Sequence, residues 1–215
     1  MARTRPHRDG CGIAYASELL GQRWALLVVR ELLLGPKRFT DLRTGIPDVS
    51  PNVLGQRLRE LEQAGIVRKR KLAPPAAAQV YELTEWGAQL EPAVLALGRW
   101  ASGSPSFPRD AEMGADSLVL ALKSTFDPAS AQGLDGTYEL ILDDLPFRIA
   151  VSNGRFEARR GEADRPDSRI RTDPDTMTAL VFRGRSLTAA LRARDIEIEG
   201  SKQAAMRLVR LLANS

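Results

Sequence analysis

The 215-residue chain is basic overall, with 31 Lys and Arg against 27 Asp and Glu, and it contains one cysteine. Hydrophobic residues (43%) and charged residues (27%) occur at levels typical of a soluble globular protein. No stretch reaches the roughly 18 consecutive apolar residues that a membrane span needs, and the polar start lacks the apolar core of a secretory signal. We therefore expect a cytoplasmic protein with no membrane association and no disulfide framework.

The basic excess is confined to the first third of the sequence. Residues 1–73 carry 14 Lys and Arg against 7 Asp and Glu, whereas residues 110–215 carry 15 against 17. This distribution is expected of a segment that meets a polyanion, and an incidental arginine bias is the alternative. The Ser-, Pro- and Gly-rich residues 102–114 predict a linker between two domains, residues 1–101 and 115–215.

The first domain carries a helix-turn-helix pattern. Apolar residues at helical spacing predict a helix that starts near Trp24 and stops at Gly35-Pro36, followed by a short helix from Phe39 to Thr44. Ser50 is a good N-cap and Pro51 suits a first helical position, so a further helix begins there and ends at Gly65. Its predicted outward face carries side chains suited to base edges in the major groove, namely Asn52, Gln56, Arg59 and Gln63. One flank of this face carries Val53, Arg57 and Glu60.

The shorter helix would brace this recognition helix on DNA. In that arrangement Lys37, Arg38 and Thr40 would lie near phosphates. A solvated helix face is the alternative interpretation of the polar residues.

A basic hairpin follows the recognition helix. Residues 66–72 predict a strand with four consecutive cations, Arg68, Lys69, Arg70 and Lys71, and residues 79–84 alternate like a returning strand after a Pro-Pro-Ala-Ala-Ala tip at residues 74–78. Such a wing would lie along the sugar-phosphate backbone. Thr84 caps a helix predicted over residues 85–101. Its apolar stripe favours a dimer seam over core packing, and the stripe contains Trp86, Leu90, Val94, Leu97 and Trp100.

Taken together, several segments resemble HxlR-type winged-helix regulators over roughly residues 11–100. They are Cys11 and the segments LGQRW (20–24), GPKRF (35–39), LGQRLRELE (54–62), AGIV (64–67) and YELTEWG (81–87). The resemblance implies a homodimer that binds a short, near-palindromic operator in duplex DNA. It also implies which residues lie nearest the bases, namely Ser50, Asn52, Val53, Gln56 and Arg57.

Cys11 stands where some such regulators have a cysteine that senses oxidants or electrophiles. A thiol senses only if it is exposed and partly deprotonated, and Arg8 or the N-terminus of the following helix would lower its pKa. An inert cysteine is the commoner case, and we expect Cys11 to be inert rather than a redox sensor.

The second domain is predicted to pack a sheet against helices. Residues 118–126 predict an apolar strand, and alternating residues predict strands through Tyr138, Phe147 and Phe156, with turns at residues 143–144 and 153–154. A strand over residues 168–172 precedes a capped helix over residues 174–182. A helix over residues 187–194, a strand over residues 195–199 and a helix over residues 202–212 follow. The fold class of the whole chain is therefore α+β.

The order of these elements resembles sterol-carrier-protein-type domains over roughly residues 115–213. Such domains hold an apolar cavity between sheet and helices, so the resemblance implies a lipid-like or otherwise hydrophobic effector. The alternative for each implied wall residue is that it fills an ordinary core. The alternative for the whole domain is that it binds no ligand and only dimerises or braces the regulator. The wall residues are Leu120, Phe126, Leu140, Phe147, Phe156, Met177, Leu180 and Phe182.

The sequence shows no catalytic constellation. A phosphate loop, a metal-ligand cluster and a histidine-paired nucleophile are all missing, and the alternating Asp195, Glu197 and Glu199 are typical of a solvated strand face. We therefore predict a DNA-binding transcription regulator, not an enzyme, with no cofactor or metal. The alternative is a lipid or small-molecule binding protein whose winged helix mediates protein contacts.

Overall fold

The structure is a computed structural model that describes residues 10–73, 77–131 and 133–213. Within these residues the chain forms ten helices and seven strands, and it divides into two compact units, residues 1–94 and 95–215. The predicted α+β class is confirmed. No helix in the described ranges has the length and apolar character needed to cross a bilayer.

The first unit is a bundle of short helices with one small hairpin. Its elements are α1 (Gly12–Leu20), α2 (Ala25–Leu32), α3 (Phe39–Gly45), α4 (Pro51–Gln63), β1 (Val67–Lys71), β2 (Gln79–Leu83), α5 (Glu85–Ala88) and the start of α6 (Glu91–Ser102). Of the tip between β1 and β2, residues 74–76 lie outside the described residues.

The core of the first unit lies between α2 and α4. Leu54, Leu58 and Leu61 recur on one face of α4 and pack against Val28 and Val29 of α2, with each side chain at most 1% exposed. Full burial of one such side chain is worth about 1.5–3 kcal/mol. This packing fixes which side of α4 faces the protein interior and therefore which side faces outward.

Helix α4 begins and ends at the residues that the sequence predicts. The Ser50 hydroxyl accepts a hydrogen bond from the Val53 amide at 3.4 Å, and Pro51 occupies the first helical position. After α4, Gly65 adopts a left-handed φ of 72°, which glycine tolerates without steric cost. The chain then turns directly into β1.

The single helix predicted over residues 85–101 is wrong, because the structure has two helices there. Thr84 does cap the first of them, and its hydroxyl accepts a hydrogen bond from the Gly87 amide at 2.9 Å. Helix α5 stops at Ala88, and α6 starts at Glu91 with Pro92 in its first turn. Pro92 lacks an amide proton and its ring would clash with the carbonyl of Ala88 four residues earlier, so one continuous helix cannot form.

The second unit is a mixed five-stranded sheet with helices. Beyond α6 its elements are α7 (Ala115–Thr125), β3 (Gly136–Leu142), β4 (Leu145–Ser152), β5 (Arg155–Arg160), β6 (Ser168–Thr172), α8 (Pro174–Phe182), α9 (Leu187–Ala193), β7 (Ile196–Gly200) and α10 (Lys202–Ala213). The strand order is β5-β4-β3-β6-β7, in which β3 and β6 are parallel and the other pairs are antiparallel.

Two tight hairpins set the register of the sheet. Asp143 and Asp144 have φ of 49° and 64°, and Asn153 and Gly154 have φ of 51° and 69°. Two consecutive positive values are the signature of type I′ turns, which match the twist of antiparallel strands. Both turns lie where the sequence predicts them.

The strand predicted over residues 118–126 is wrong, because this segment is helix α7. Its buried side chains include Ala115, Leu118, Val119 and Leu122, which recur at steps of three and four as on one helix face. A short apolar run is compatible with a buried strand or a buried helix, and periodicity alone does not separate the two. Here the helix buries its apolar side chains while it satisfies its own backbone hydrogen bonds.

Candidate DNA-binding surface

The outward face of α4 presents polar side chains to solvent. Asn52, Gln56 and Arg59 are exposed, Val53 is 37% exposed, and the capping Ser50 is also exposed. The packing of Leu54, Leu58 and Leu61 against the core leaves this face uncovered within the first unit. It therefore has the shape and the hydrogen-bonding groups that a major-groove reader needs.

The structure contradicts a direct base contact by Arg57. Its residue exposure is 9%, because it lies three residues after Leu54 and four before Leu61 and so falls on the buried side of α4. Its guanidinium pairs with Glu60, whose other carboxylate oxygen accepts a hydrogen bond from Gln56 Nε2 at 2.9 Å. Arg57 is thus an internal anchor of α4.

Lys37 is also misassigned as a phosphate contact. It is 4% exposed, and its ammonium pairs with the carboxylate of Glu31, which is 1% exposed. Arg30 donates to the same carboxylate at 2.7 Å and to the carbonyl oxygen of Gly45 at 3.0 Å. This buried network joins α2 to both ends of α3, so Lys37 holds the helix-turn-helix together.

The two other residues predicted near phosphates are on the surface. Arg38 and Thr40 are exposed at the start of α3, where the Arg38 amide donates to Asp41 Oδ2 at 3.1 Å and the Thr40 hydroxyl donates to Asp41 Oδ1 at 3.2 Å. Arg43, in the last turn of α3, is exposed as well. A phosphate contact by Arg38 or Thr40 stays a prediction.

The four cations of β1 are exposed and alternate between the two faces of the hairpin. Arg68 and Arg70 share one carboxylate, since each donates its Nε proton to a different oxygen of Glu82 at 2.8 Å. On the other face Lys69 lies 3.7 Å from a carboxylate oxygen of Glu62 in α4. The guanidinium ends of the two arginines therefore stay accessible while their stems are held.

The wing is tied directly to the helix-turn-helix. Lys37 and Tyr81 exchange two backbone hydrogen bonds, with the Lys37 amide donating at 3.0 Å and the Tyr81 amide donating at 2.8 Å. The segment before α3 thus forms an isolated β-bridge with β2. No local sequence signal predicts this bridge, because its two sides are 44 residues apart.

Two features of this surface are not among the contacts predicted from the sequence. Arg59 was placed on the outward face of α4 but was not selected as a DNA contact, although the structure shows it exposed beside Gln56. The second feature is a set of carboxylates that pair with cations of α4 and β1, namely Glu60, Glu62 and Glu82. The i,i+3 spacing of Arg57 and Glu60 and the cross-strand position of Glu82 opposite Arg68 are the sequence signals for two of these pairs.

Cys11 is exposed and immediately precedes α1. Hydrogen bonds from the backbone of Ala14 and Ile13 lower the pKa of its thiol below the ordinary value. Arg8, invoked from the sequence as a further cause, lies outside the described residues. A redox role for Cys11 stays untested.

Apolar side chains of α6 are exposed. Trp100 is 79% exposed and Leu97 is 49% exposed, three residues apart on one helix face. Trp86 in α5 is 49% exposed, whereas Leu90 and Val94 are half-buried against the core of the first unit. The predicted stripe therefore divides into core residues and exposed ones.

In the second unit, most of the predicted pocket residues fill the core. Seven of them are each at most 8% exposed, namely Leu120, Phe126, Leu140, Phe147, Phe156, Met177 and Leu180. The ring centroids of Phe126 and Phe156 lie 5.3 Å apart. Phe182 is 41% exposed. Leu180 lines a pocket of about 240 Å³ between α8, α9 and α10, whose other apolar walls include Leu187, Leu191, Met206 and Val209.

A helix-turn-helix followed by a basic two-stranded wing defines a winged-helix domain. The model of the HxlR-like helix-turn-helix family matches residues 19–106, and that of the SCP-2 sterol transfer family matches residues 118–213. The chain belongs to the HxlR-like helix-turn-helix family and carries an SCP-2 domain, so both predicted resemblances are confirmed.

Proteins similar to this chain include HTH-type transcriptional regulators. The uncharacterized HTH-type transcriptional regulator YvaP of Bacillus subtilis is 38% identical over 95 residues, which cover 43% of this chain and 87% of that protein. The HTH-type transcriptional regulator YodB of the same organism is 40% identical over 86 residues, covering 40% and 77%. The solved structure of reduced YodB covers 46% of this chain and 97% of its own, at 34% identity and a TM-score of 0.41. YvaP and YodB are named HTH-type transcriptional regulators, and their sequence similarity supports DNA-binding regulation.

Proposed function

We propose that this protein regulates transcription as a homodimer that binds a near-palindromic operator, with α4 in the major groove and the β1–β2 wing along the backbone. The observation that carries this proposal is the uncovered face of α4, which presents Asn52, Gln56 and Arg59, in a unit whose strand β1 presents four exposed cations. Amide and guanidinium groups suit base edges, and the wing cations suit phosphates.

Gln56→Ala is expected to weaken binding to the selected operator about tenfold or more and to leave binding to random duplex almost unchanged, because base contacts supply specificity and phosphate contacts do not. Fluorescence anisotropy with the two duplexes at the same salt concentration measures both affinities. Gln203→Ala, at an exposed position of α10, is the control. Equal losses on operator and random duplex would contradict base reading by α4.

The dimer is proposed to form through the exposed apolar face of α6. A tryptophan that is 79% exposed beside a leucine that is 49% exposed is typical of a surface that another protein covers. Two copies of α6 would bury these side chains against each other, and the resulting two-fold symmetry matches a near-palindromic operator.

Trp100→Glu is expected to convert the protein to a monomer at micromolar concentration and to weaken operator binding, because a charge in an apolar interface is costly to desolvate. Sedimentation velocity measures the change of mass. Gly98→Glu is a charge-matched control in the same helix, since the space around Gly98 is open. A dimer that persists in Trp100→Glu places the interface elsewhere.

We propose further that a hydrophobic effector occupies the pocket between α8, α9 and α10. At about 240 Å³ the pocket lies just below the usual range of small-molecule sites, about 300–1,000 Å³, so a small ligand fits it. A ligand changes DNA affinity only if it binds the free and the DNA-bound protein with unequal affinity.

Leu191→Trp should fill this pocket and prevent the protein from retaining apolar compounds, which native mass spectrometry of the purified protein detects. Adding the extracted compounds back to stripped wild-type protein is expected to change operator affinity about 5- to 150-fold, the usual range of coupling. Leu145→Trp, at an exposed position of β4, should retain the compounds. If wild type carries no compound, the second unit has a bracing role instead.

A further inference from the structure

We propose that Glu60 is a positioning residue that fixes the amide of Gln56 so that Gln56 reads an adenine; the inference rests on the proposed DNA-binding function of α4. Gln56 and Glu60 lie one turn apart on α4, with Gln56 Nε2 2.9 Å from Glu60 Oε1. A carboxylate only accepts hydrogen bonds, so the amide must turn its nitrogen rather than its oxygen toward Glu60. The carboxylate thereby determines the orientation of an exposed side chain.

Glu60 is itself held from the interior of the protein. Its second carboxylate oxygen, Oε2, accepts a hydrogen bond from Nη1 of Arg57, whose side chain is 10% exposed, while the Glu60 side chain is 42% exposed. Arg57 Nε has no hydrogen-bond partner among the described residues. The guanidinium therefore depends on Glu60, and a chain of contacts runs from the buried side of α4 through Glu60 to Gln56.

A fixed amide of this kind matches one purine and not the other. With one N–H bound to Glu60, Gln56 offers its second N–H and its Oε1 to the groove. Adenine presents one acceptor, N7, and one donor, the N6 amino group, which this pair satisfies. Guanine presents two acceptors, N7 and O6, and would require two donors from the amide. The expected preference for adenine over guanine is about tenfold to a hundredfold.

The test is selection of duplexes from a randomised pool by the full-length protein and its variants. Gln56→Ala should lose its preference at one position in each half-site, and wild type should select adenine there. Glu60→Ala should lose the preference at that same position and keep it at the others. Glu85→Ala removes the same charge from an exposed position in the first turn of α5 and should keep every preference. An effect on helix stability alone would lower all preferences together.

Two further measurements guard against misfolding of Glu60→Ala, which leaves Arg57 without its carboxylate. The double variant Arg57→Met/Glu60→Ala replaces the buried guanidinium with an apolar side chain and should lose the same single preference. Replacing the selected adenine with 7-deazaadenine removes N7 and should weaken wild-type binding about tenfold while leaving Gln56→Ala unchanged.

Selection of another base at that position, or an intact adenine preference in both Glu60 variants, would overturn the role of Glu60 and leave the proposed regulator standing. Selection of no sequence by the wild-type protein would overturn both proposals.

Discussion

Replacing Arg68, Lys69, Arg70 and Lys71 with glutamine is expected to lower affinity for duplex DNA by about a hundredfold or more near 0.1 M salt. Each phosphate that a cation neutralises contributes about 0.9 to the slope of log affinity against log salt concentration. Loss of two to four contacts in each of the two wings of the dimer should therefore make this slope shallower by about 4 to 7. Glu82 and Glu62 already pair with three of the four cations. Because these ion pairs compete with phosphates, the number of phosphate contacts per wing can be as low as two.

The measurement is a salt titration of DNA binding by fluorescence anisotropy, on operator and on random duplex. A charge-matched control replaces four exposed arginines of the second unit with glutamine, namely Arg148, Arg155, Arg159 and Arg192. The control should lose little affinity and keep its slope. An unchanged slope in the wing variant would show that β1 does not contact phosphates, even if the overall affinity fell.

Glu31→Ala is expected to destabilise the first unit by about 3–5 kcal/mol, because it leaves a buried ammonium and a partly buried guanidinium without their shared carboxylate. Urea unfolding followed by tryptophan fluorescence reports the change in the free energy of unfolding. Asp48→Ala, at an exposed position before α4, should change stability by no more than about 0.5 kcal/mol.

The double variant Glu31→Leu/Lys37→Met separates charge from packing. Buried ion pairs are often replaceable by apolar side chains of similar volume with little loss, so the double variant should recover most of the stability. Its salt slope for DNA binding should match that of wild type, since Lys37 is buried and contributes no phosphate contact. A shallower slope would restore Lys37 to the DNA-binding surface, and a loss below 1 kcal/mol in Glu31→Ala would show that the network is dispensable.

Local signals in the sequence were enough to predict most element boundaries. The Ser50-Pro51 start, the Asn153-Gly154 turn and the Asp173-Pro174 start each combine residue types whose backbone preferences agree, and each forms as predicted. Asp173 shows why such a start is robust. Burial raises the pKa of its carboxyl, yet hydrogen bonds from the amide and hydroxyl of Thr176, together with those from the amides of Asp173 and Asp175, more than offset burial and lower the pKa below its ordinary value.

The errors arose where several physical causes compete. Residues 118–126 are apolar enough to be a strand or a helix, and only their packing decides between them. Lys37 and Arg57 were placed on the surface because of residue type, but the turn before α3 and the helical position of Arg57 carry them inward, where Glu31 and Glu60 supply the opposite charge. Such ion pairs depend on the three-dimensional arrangement and cannot be predicted from one segment of the sequence at a time.

The backbone bridge between Lys37 and Tyr81 fixes the distance between the wing and the start of the helix-turn-helix. Because this bridge anchors β2 to the segment before α3, it limits how far the hairpin can move relative to α3. A rigid pair of this kind would respond to the width of the neighbouring minor groove as well as to base identity, so A-tracts flanking an operator should alter affinity at positions that no side chain touches.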